Sequence, residues 1–186
     1  MAYKDETLTF ASDKIYYTAD GSELEVMMDW EDSIMKASAD YVCEEGGDIL
    51  EIGFGMGIAS DYIQANSITS HTIVEIHPQI IEKAKAWASG KSNVTIVEGD
   101  WYTIKDSLST YDGIFYDTWG EEDWSRFGNN IASLAKSGAK VTWWNNIASA
   151  NSIHDIDGVE YETINVTPAS NMYFSSNTYY LPKKQF

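Results

Sequence analysis

The 186-residue chain has a single cysteine, Cys43, which excludes an internal disulfide and a cysteine-based zinc cluster. Its three histidines, His71, His77 and His154, are scattered and argue against a histidine metal centre. Basic side chains are scarce as well: 12 lysines and arginines face 29 acidic residues, the net charge is −17, and Arg126 is the only arginine. Such a surface repels phosphate backbones and draws in cations, so nucleic acid is a poor partner. With one arginine there are almost no bidentate forks for a phosphate or a substrate carboxylate, and an anionic group would have to lean on backbone amides. No apolar run approaches the roughly 18 residues of a membrane span. The start, MAYKDETLTF, lacks the basic-then-apolar order of a secretory signal. These absences predict a cytoplasmic protein without membrane association, and the length predicts one domain spanning 1–186.

What is present from Asp48 onward is an alternation of short apolar runs with longer amphipathic ones, the pattern of βαβ units and a parallel sheet. Strands are predicted at 48–53, 71–76, 93–97, 111–117 and 139–144, and helices at 58–66, 78–89 and 120–136. Pro78 opens the second helix at a favoured first-turn position. After Trp144 the pattern turns to β-branched and aromatic alternation at 159–166 and 172–181. Those two runs predict antiparallel strands that finish the sheet, and no long helix fits between 145 and 158. The fold class is therefore α/β, a doubly wound and mostly parallel core over 48–186 with a C-terminal antiparallel hairpin. Ahead of it, Met27, Trp30, Ile34, Ala37 and Tyr41 recur at helical spacing and predict a helix over 26–43. Glu31 falls on that apolar stripe, where an ionised side chain needs a partner. Residues 1–25 are polar and aromatic and read as a flap or cover.

The strongest local signal is Glu51-Ile52-Gly53-Phe54-Gly55-Met56-Gly57, which ends the first core strand and leads into a helix. Glycines there permit a tight turn and let backbone amides approach a ligand at the helix N-terminus. Glu75, closing the next strand, can accept hydrogen bonds from two ribose hydroxyls, a device shared by nicotinamide and sulfonium cofactor sites. The G-x-G-x-G spacing after an acid, with Gly99-Asp100-Trp101 behind the third strand, suits an adenine packed on apolar surface better than a pyrophosphate. A sulfonium nucleoside is favoured, and a dinucleotide is the alternative. Asp117 ends the fourth strand at the carboxyl edge of the sheet, beside the crevice where open α/β folds bind ligands. With Glu31 it offers two carboxylates that can converge.

Three segments in order, V-M-x-x-W-E (Val26 to Glu31), L-E-I-G-F-G-M-G-I (Leu50 to Ile58) and Y-D-G-I-F-Y-D-T (Tyr111 to Thr118), resemble the guanidinoacetate N-methyltransferase family and its arginine-methylating relatives. E-E-x-W at Glu121 to Trp124 and Asn145 after the fifth strand add to the likeness, which covers roughly 26–149. The resemblance implies a Rossmann-like class I methyltransferase that uses S-adenosylmethionine, yields S-adenosylhomocysteine, methylates a small guanidino compound, and exists as a monomer or homodimer. It implies that Met27 and Met35 border the cofactor, that Met56, Gly57 and Ile58 hold its amino-acid portion, and that Glu75 takes the ribose. Ile76 and Trp101 would flank adenine, and Glu51, Gly53, Phe54, Gly55, His77, Asp100 and Tyr102 complete the cofactor set. Glu31 and Asp117 match the family's two acceptor-binding carboxylates, with Asp117 accepting the proton and Glu31 gripping the guanidinium. Asn146 and Ile147 fall where family backbone amides meet the acceptor's carboxylate.

Overall fold

The computed structural model describes residues 2–121 and 123–186; Met1 and Glu122, the second glutamate of E-E-x-W, lie outside the described residues. The chain opens with a three-stranded antiparallel sheet, β1 (Thr9–Phe10), β2 (Lys14–Ala19) and β3 (Ser22–Met28). Asp20 and Gly21 join β2 to β3 with φ of 50° and 78°, a two-residue turn whose left-handed backbone matches the twist of the strands. A 3-10 turn at Asp29–Glu31 then leads into α1 (Asp32–Val42).

The predicted helix over 26–43 is therefore corrected at its start. Val26 and Met27 belong to β3, and only the part from Asp32 is α-helical, burying Ile34, Met35, Ala39 and Val42. The apolar stripe runs at one apparent period across two elements, because the strand and the helix that follows it both turn apolar residues inward.

The core elements follow as β4 (Asp48–Ile52), α2 (Ile58–Ala65), β5 (Ser70–Glu75), α3 (Pro78–Ala88), β6 (Val94–Glu98), α4 (Trp101–Ile104), β7 (Tyr111–Tyr116), α5 (Ser125–Asn130), β8 (Ala135–Trp143), β9 (Glu160–Asn165) and β10 (Thr178–Gln185). They form a seven-stranded sheet in the order β6-β5-β4-β7-β8-β10-β9, parallel from β6 to β8 and antiparallel at the β10 pairings. That is the predicted class. Alternation along β4 sorts the layers: Ile49 shares a cluster with Ile34, Met35 and Ile63 of α1 and α2, whereas Leu50 and Ile52 pack with Trp101, Phe127 and Ile131. A third cluster joins Ile80 and Ala84 of α3 to Leu8 and Ile15, which ties the N-terminal sheet to the core.

Two further expectations are corrected. The helix over 120–136 shrinks to α5 and one 3-10 turn, Ile131–Ser133, because β8 already begins at Ala135. The last strand starts at Thr178 rather than 172, so Met172 to Phe174 form a turn instead of a strand. Among the described residues no helix is long and apolar enough to cross a membrane.

Candidate functional site

Strand order reverses where β4 and β7 lie side by side, and their carboxyl ends frame the crevice in which open α/β sheets hold ligands. Two residues close its floor. The Asp117 amide donates to the Ile52 carbonyl at 2.9 Å, and the chain at Gly53 approaches so closely that a Cβ there would overlap the Asp117 carbonyl oxygen. Gly53 also has φ 95°, a backbone conformation that side chains disfavour, so both space and torsion demand glycine. At Gly55 a Cβ would overlap the Met27 sulfur, which accepts the Met56 amide at 3.1 Å and pins β3 against the glycine turn.

A cavity of about 830 Å³ opens there, lined among others by Met27, Met35, Glu51, Gly53, Phe54, Gly55, Glu75, Ile76, Asp100, Trp101 and Asp117. These sequence-predicted residues are thus brought together. Glu51 is buried, and its Oε2 accepts Ser60 Oγ at 2.5 Å and pairs with His71 Nε2 at 2.8 Å. Its Oε1 is buried without any partner among the described residues. Such an orphaned acceptor on a cavity wall calls for a cationic or N–H donor from a ligand. Glu75 is held by backbone: Oε2 accepts the Phe54 amide at 2.9 Å, and Oε1 accepts the amides of Ile76 and His77, each at 2.8 Å. Burial pushes its carboxyl above the ordinary range in spite of those donors.

Other predicted cofactor residues do not line this cavity. Met56 meets Met27 instead, Gly57 caps α2 with φ 80°, and Ile58 is the first residue of that helix. The His77 imidazole caps α3, accepting the Gln79 amide at 3.2 Å, while its Nε2 donates to the Glu6 carbonyl at 3.2 Å. Tyr102 turns outward beneath the Arg126 guanidinium, 4.7 Å from its ring centre.

A second cavity of about 320 Å³ adjoins the first and contains Glu31, Tyr116, Trp119, Trp124, Trp144, Asn146, His154 and Tyr173 on its walls. Tyr17, Val26, Asp117, Thr118, Trp119, Gly120 and Glu121 border both cavities. Glu31 Oε1 accepts the Met28 amide at 2.8 Å and the Tyr173 hydroxyl at 2.6 Å. Burial first, then the neighbouring Asp117, pushes the Glu31 carboxyl up to about 8. Asp117 lies deep and is pushed up to about 7 by burial and by the proximity of Glu51 and Glu75. Four carboxyls thus crowd one junction, and each favours a cation arriving beside it.

Asn146 lines the smaller cavity, but Ile147 does not, and its amide is already donated to Asn145 Oδ1 at 3.2 Å. Asn145 is a brace, with its amide on the Tyr179 hydroxyl at 2.7 Å and its Nδ2 on the Tyr180 carbonyl at 3.0 Å. Sequence reasoning missed Tyr173, which sits in a turn with no periodic signal and stacks on Trp30 at 6.0 Å. It also missed Tyr3, which lines the larger cavity and reaches it because Glu6 and Leu8 are fastened to α3.

Residues 13–153 match the family model described as guanidinoacetate N-methyltransferase. The protein arginine N-methyltransferase 2 of Yarrowia lipolytica is 33% identical over 162 residues, covering 76% of this chain and 34% of that protein. The enzyme of the same name from Saccharomyces cerevisiae is 30% identical over 221 aligned positions, covering 100% of this chain and 51% of that protein. The chain thus spans between a third and about half the length of these curated relatives. In fold it is similar to N-methyltransferase NodS from Bradyrhizobium japonicum in complex with S-adenosylhomocysteine, at TM-score 0.66 and 14% identity over 84% of this chain and 87% of that one. With a class I methyltransferase sheet and a family match over most of its length, this chain belongs to the guanidinoacetate N-methyltransferase family.

Proposed function

We propose that this chain is an S-adenosylmethionine-dependent N-methyltransferase whose acceptor is a guanidino group. One observation carries the reading: Asp117 is a shared wall between the larger cavity, which holds Glu51 and Glu75, and the smaller one, which holds Glu31. The larger cavity suits the donor because its volume fits a nucleoside with an amino-acid tail and because Glu51 Oε1 offers a buried acceptor to an ammonium. Glu75 Oε2, with one backbone donor, retains a lone pair for a ribose hydroxyl, and Trp101 supplies apolar surface for a base.

When bound, S-adenosylmethionine supplies a methyl group activated by its sulfonium. The protein's part is to present the nitrogen. A guanidinium is a weak nucleophile, since its lone pair is delocalised and its pKa exceeds about 12. With that donor bound, Asp117 would accept the proton that the guanidino nitrogen gives up on being methylated. Glu31, fixed by Tyr173 and the Met28 amide, holds the remaining guanidino N–H groups in plane. A cation in the smaller cavity also offsets the burial that, more than any neighbouring charge, holds both carboxyls high, which draws them into the ionised form required for the transfer.

Asp117→Asn is expected to lower turnover of labelled methyl into a guanidino acceptor by at least about 1000-fold, within the range of a lost general base. Affinity for S-adenosylhomocysteine by calorimetry should change only a few-fold. Full turnover in that variant refutes the assignment.

A further inference from the structure

We propose that His71, which lines neither cavity, is a positioning residue for the donor's amino-acid tail: it fixes one oxygen of Glu51 so that the other is left for the tail's ammonium. The inference rests on the reading that the larger cavity holds S-adenosylmethionine. Glu51 lines that cavity and is 1% exposed, and its two oxygens are treated unequally. Oε2 accepts Ser60 Oγ from α2 at 2.5 Å and His71 Nε2 from β5 at 2.8 Å, whereas Oε1 has no partner among the described residues. Two donors anchored on different elements stop the carboxyl from turning about its last bond. The free oxygen therefore keeps one position, and a ligand that meets it does not have to order it first.

The imidazole is itself held. It is fully buried, its Nδ1 accepts Gln64 Nε2 at 3.3 Å, and the Trp87 ring meets it edge-on at 6.2 Å. With Nδ1 accepting, the ring proton lies on Nε2 and is donated to Glu51. Ser60 and Gln64, four positions apart on α2, share the face turned to this network. Trp87 is tied to the same helix by its Nε1, which donates to Asp61 Oδ1 at 2.7 Å. On β5 the alternating positions 71, 73 and 75 share one face, so the strand that orients Glu51 through His71 also carries Glu75, the carboxyl read as the ribose's partner. A hydrocarbon side chain could fill position 71 without burying any polar atom. An imidazole buries two nitrogens there, and what it adds is a directional donor to a charged group.

Two ligands isolate the tail. S-adenosylhomocysteine carries the ammonium, and 5′-methylthioadenosine keeps the nucleoside and a thioether without the amino-acid part. In His71→Leu the dissociation constant of S-adenosylhomocysteine by calorimetry should rise about tenfold or more, the effect of losing a hydrogen bond to a charged group, while that of 5′-methylthioadenosine should change less than about twofold. His71→Gln, whose amide nitrogen can take the place of Nε2, should recover S-adenosylhomocysteine binding to within about threefold of the parent protein. An equal loss for both ligands would mark a purely structural role, and unaltered S-adenosylhomocysteine binding in His71→Leu would show that Glu51 is oriented without the ring; either result overturns the proposal. Two further measurements do not depend on the folding of that variant. Gln64→Leu, at a half-buried position, should weaken S-adenosylhomocysteine about threefold and spare 5′-methylthioadenosine, and equal binding of the former by variant and parent counts against the proposal. Nitrogen NMR of the parent protein should find the His71 proton on Nε2; a proton on Nδ1 alone would leave Glu51 without that donor and overturn the assignment. If the parent protein binds neither ligand, the reading of the larger cavity fails instead.

Discussion

Glu31 Oε1 accepts two hydrogen bonds, from the Met28 amide and the Tyr173 hydroxyl, while none reaches Oε2 among the described residues. The side chain is thus locked by one oxygen and left free at the other, the arrangement needed to receive a guanidinium edge. Tyr173→Phe keeps the ring that stacks on Trp30 and removes the lock, a hydrogen bond to a charged group worth roughly 1.5–3 kcal/mol. The expected outcome is a rise of about tenfold in the acceptor's KM with a smaller change in kcat, read by steady-state kinetics across guanidino acceptors. An unchanged KM would show that Glu31 is held by other means. Glu31→Gln should raise the same constant further, because the charge is lost along with the geometry.

Between residue 2 and Phe10 the N-terminal segment is held by few bonds for its length. Gln79 at the start of α3 accepts the Leu8 amide at 2.7 Å and donates to its carbonyl at 3.3 Å, and His77 Nε2 donates to the Glu6 carbonyl. Through these fastenings Tyr3 reaches the larger cavity, with its ring 5.0 Å from that of His77. Gln79→Ala should loosen the segment and weaken S-adenosylhomocysteine binding by about three- to tenfold, consistent with the loss of two ordinary hydrogen bonds. A dissociation constant equal to that of the parent protein would assign the segment no part in holding the donor. It is also at the level of elements that the sequence was most and least legible. The central strands β4, β5 and β7 and the glycine turn declared themselves, because parallel strands buried on both faces read as nearly continuous apolar runs. The first hairpin did not, although Asp20-Gly21 carries a turn signature, because apolar residues on β2 and β3 are diluted by Glu23, Glu25, Tyr16, Tyr17 and Thr18. Tyr173 was invisible for a different reason: its partner is 142 positions away, and no local pattern encodes a contact of that range.

For the molecule as a whole, the crowding of carboxyls makes stability depend on pH in a direction opposite to that of a salt-bridged acid. Glu31 and Asp117 titrate near about 4 in an unfolded chain and at about 8 and about 7 in the folded one. Across that window the folded chain keeps protons that the unfolded chain has released. Their contribution is therefore fully present below about pH 4, lost as pH rises through 7 and 8, and level above. Thermal unfolding of the free protein between pH 5 and pH 8.5 should show Tm falling with pH. The fall should be visibly shallower for the Glu31→Gln/Asp117→Asn double variant, and parallel curves would contradict the shifted titrations. Binding of a guanidinium at pH 6–7 should correspondingly release protons, measurable by calorimetry in buffers of different ionisation enthalpy.

The contact between Gly53 and the Asp117 carbonyl has a consequence for how such a protein could be retuned. The turn that cradles one reactant and the residue that touches the other are fitted backbone to backbone, so neither can be redesigned alone. Any enlargement at 53 would misplace both reactants at once. New acceptor preferences have to be written on the periphery, at Trp124 and Asn146, where side chains can be exchanged without disturbing the floor on which the two chambers stand.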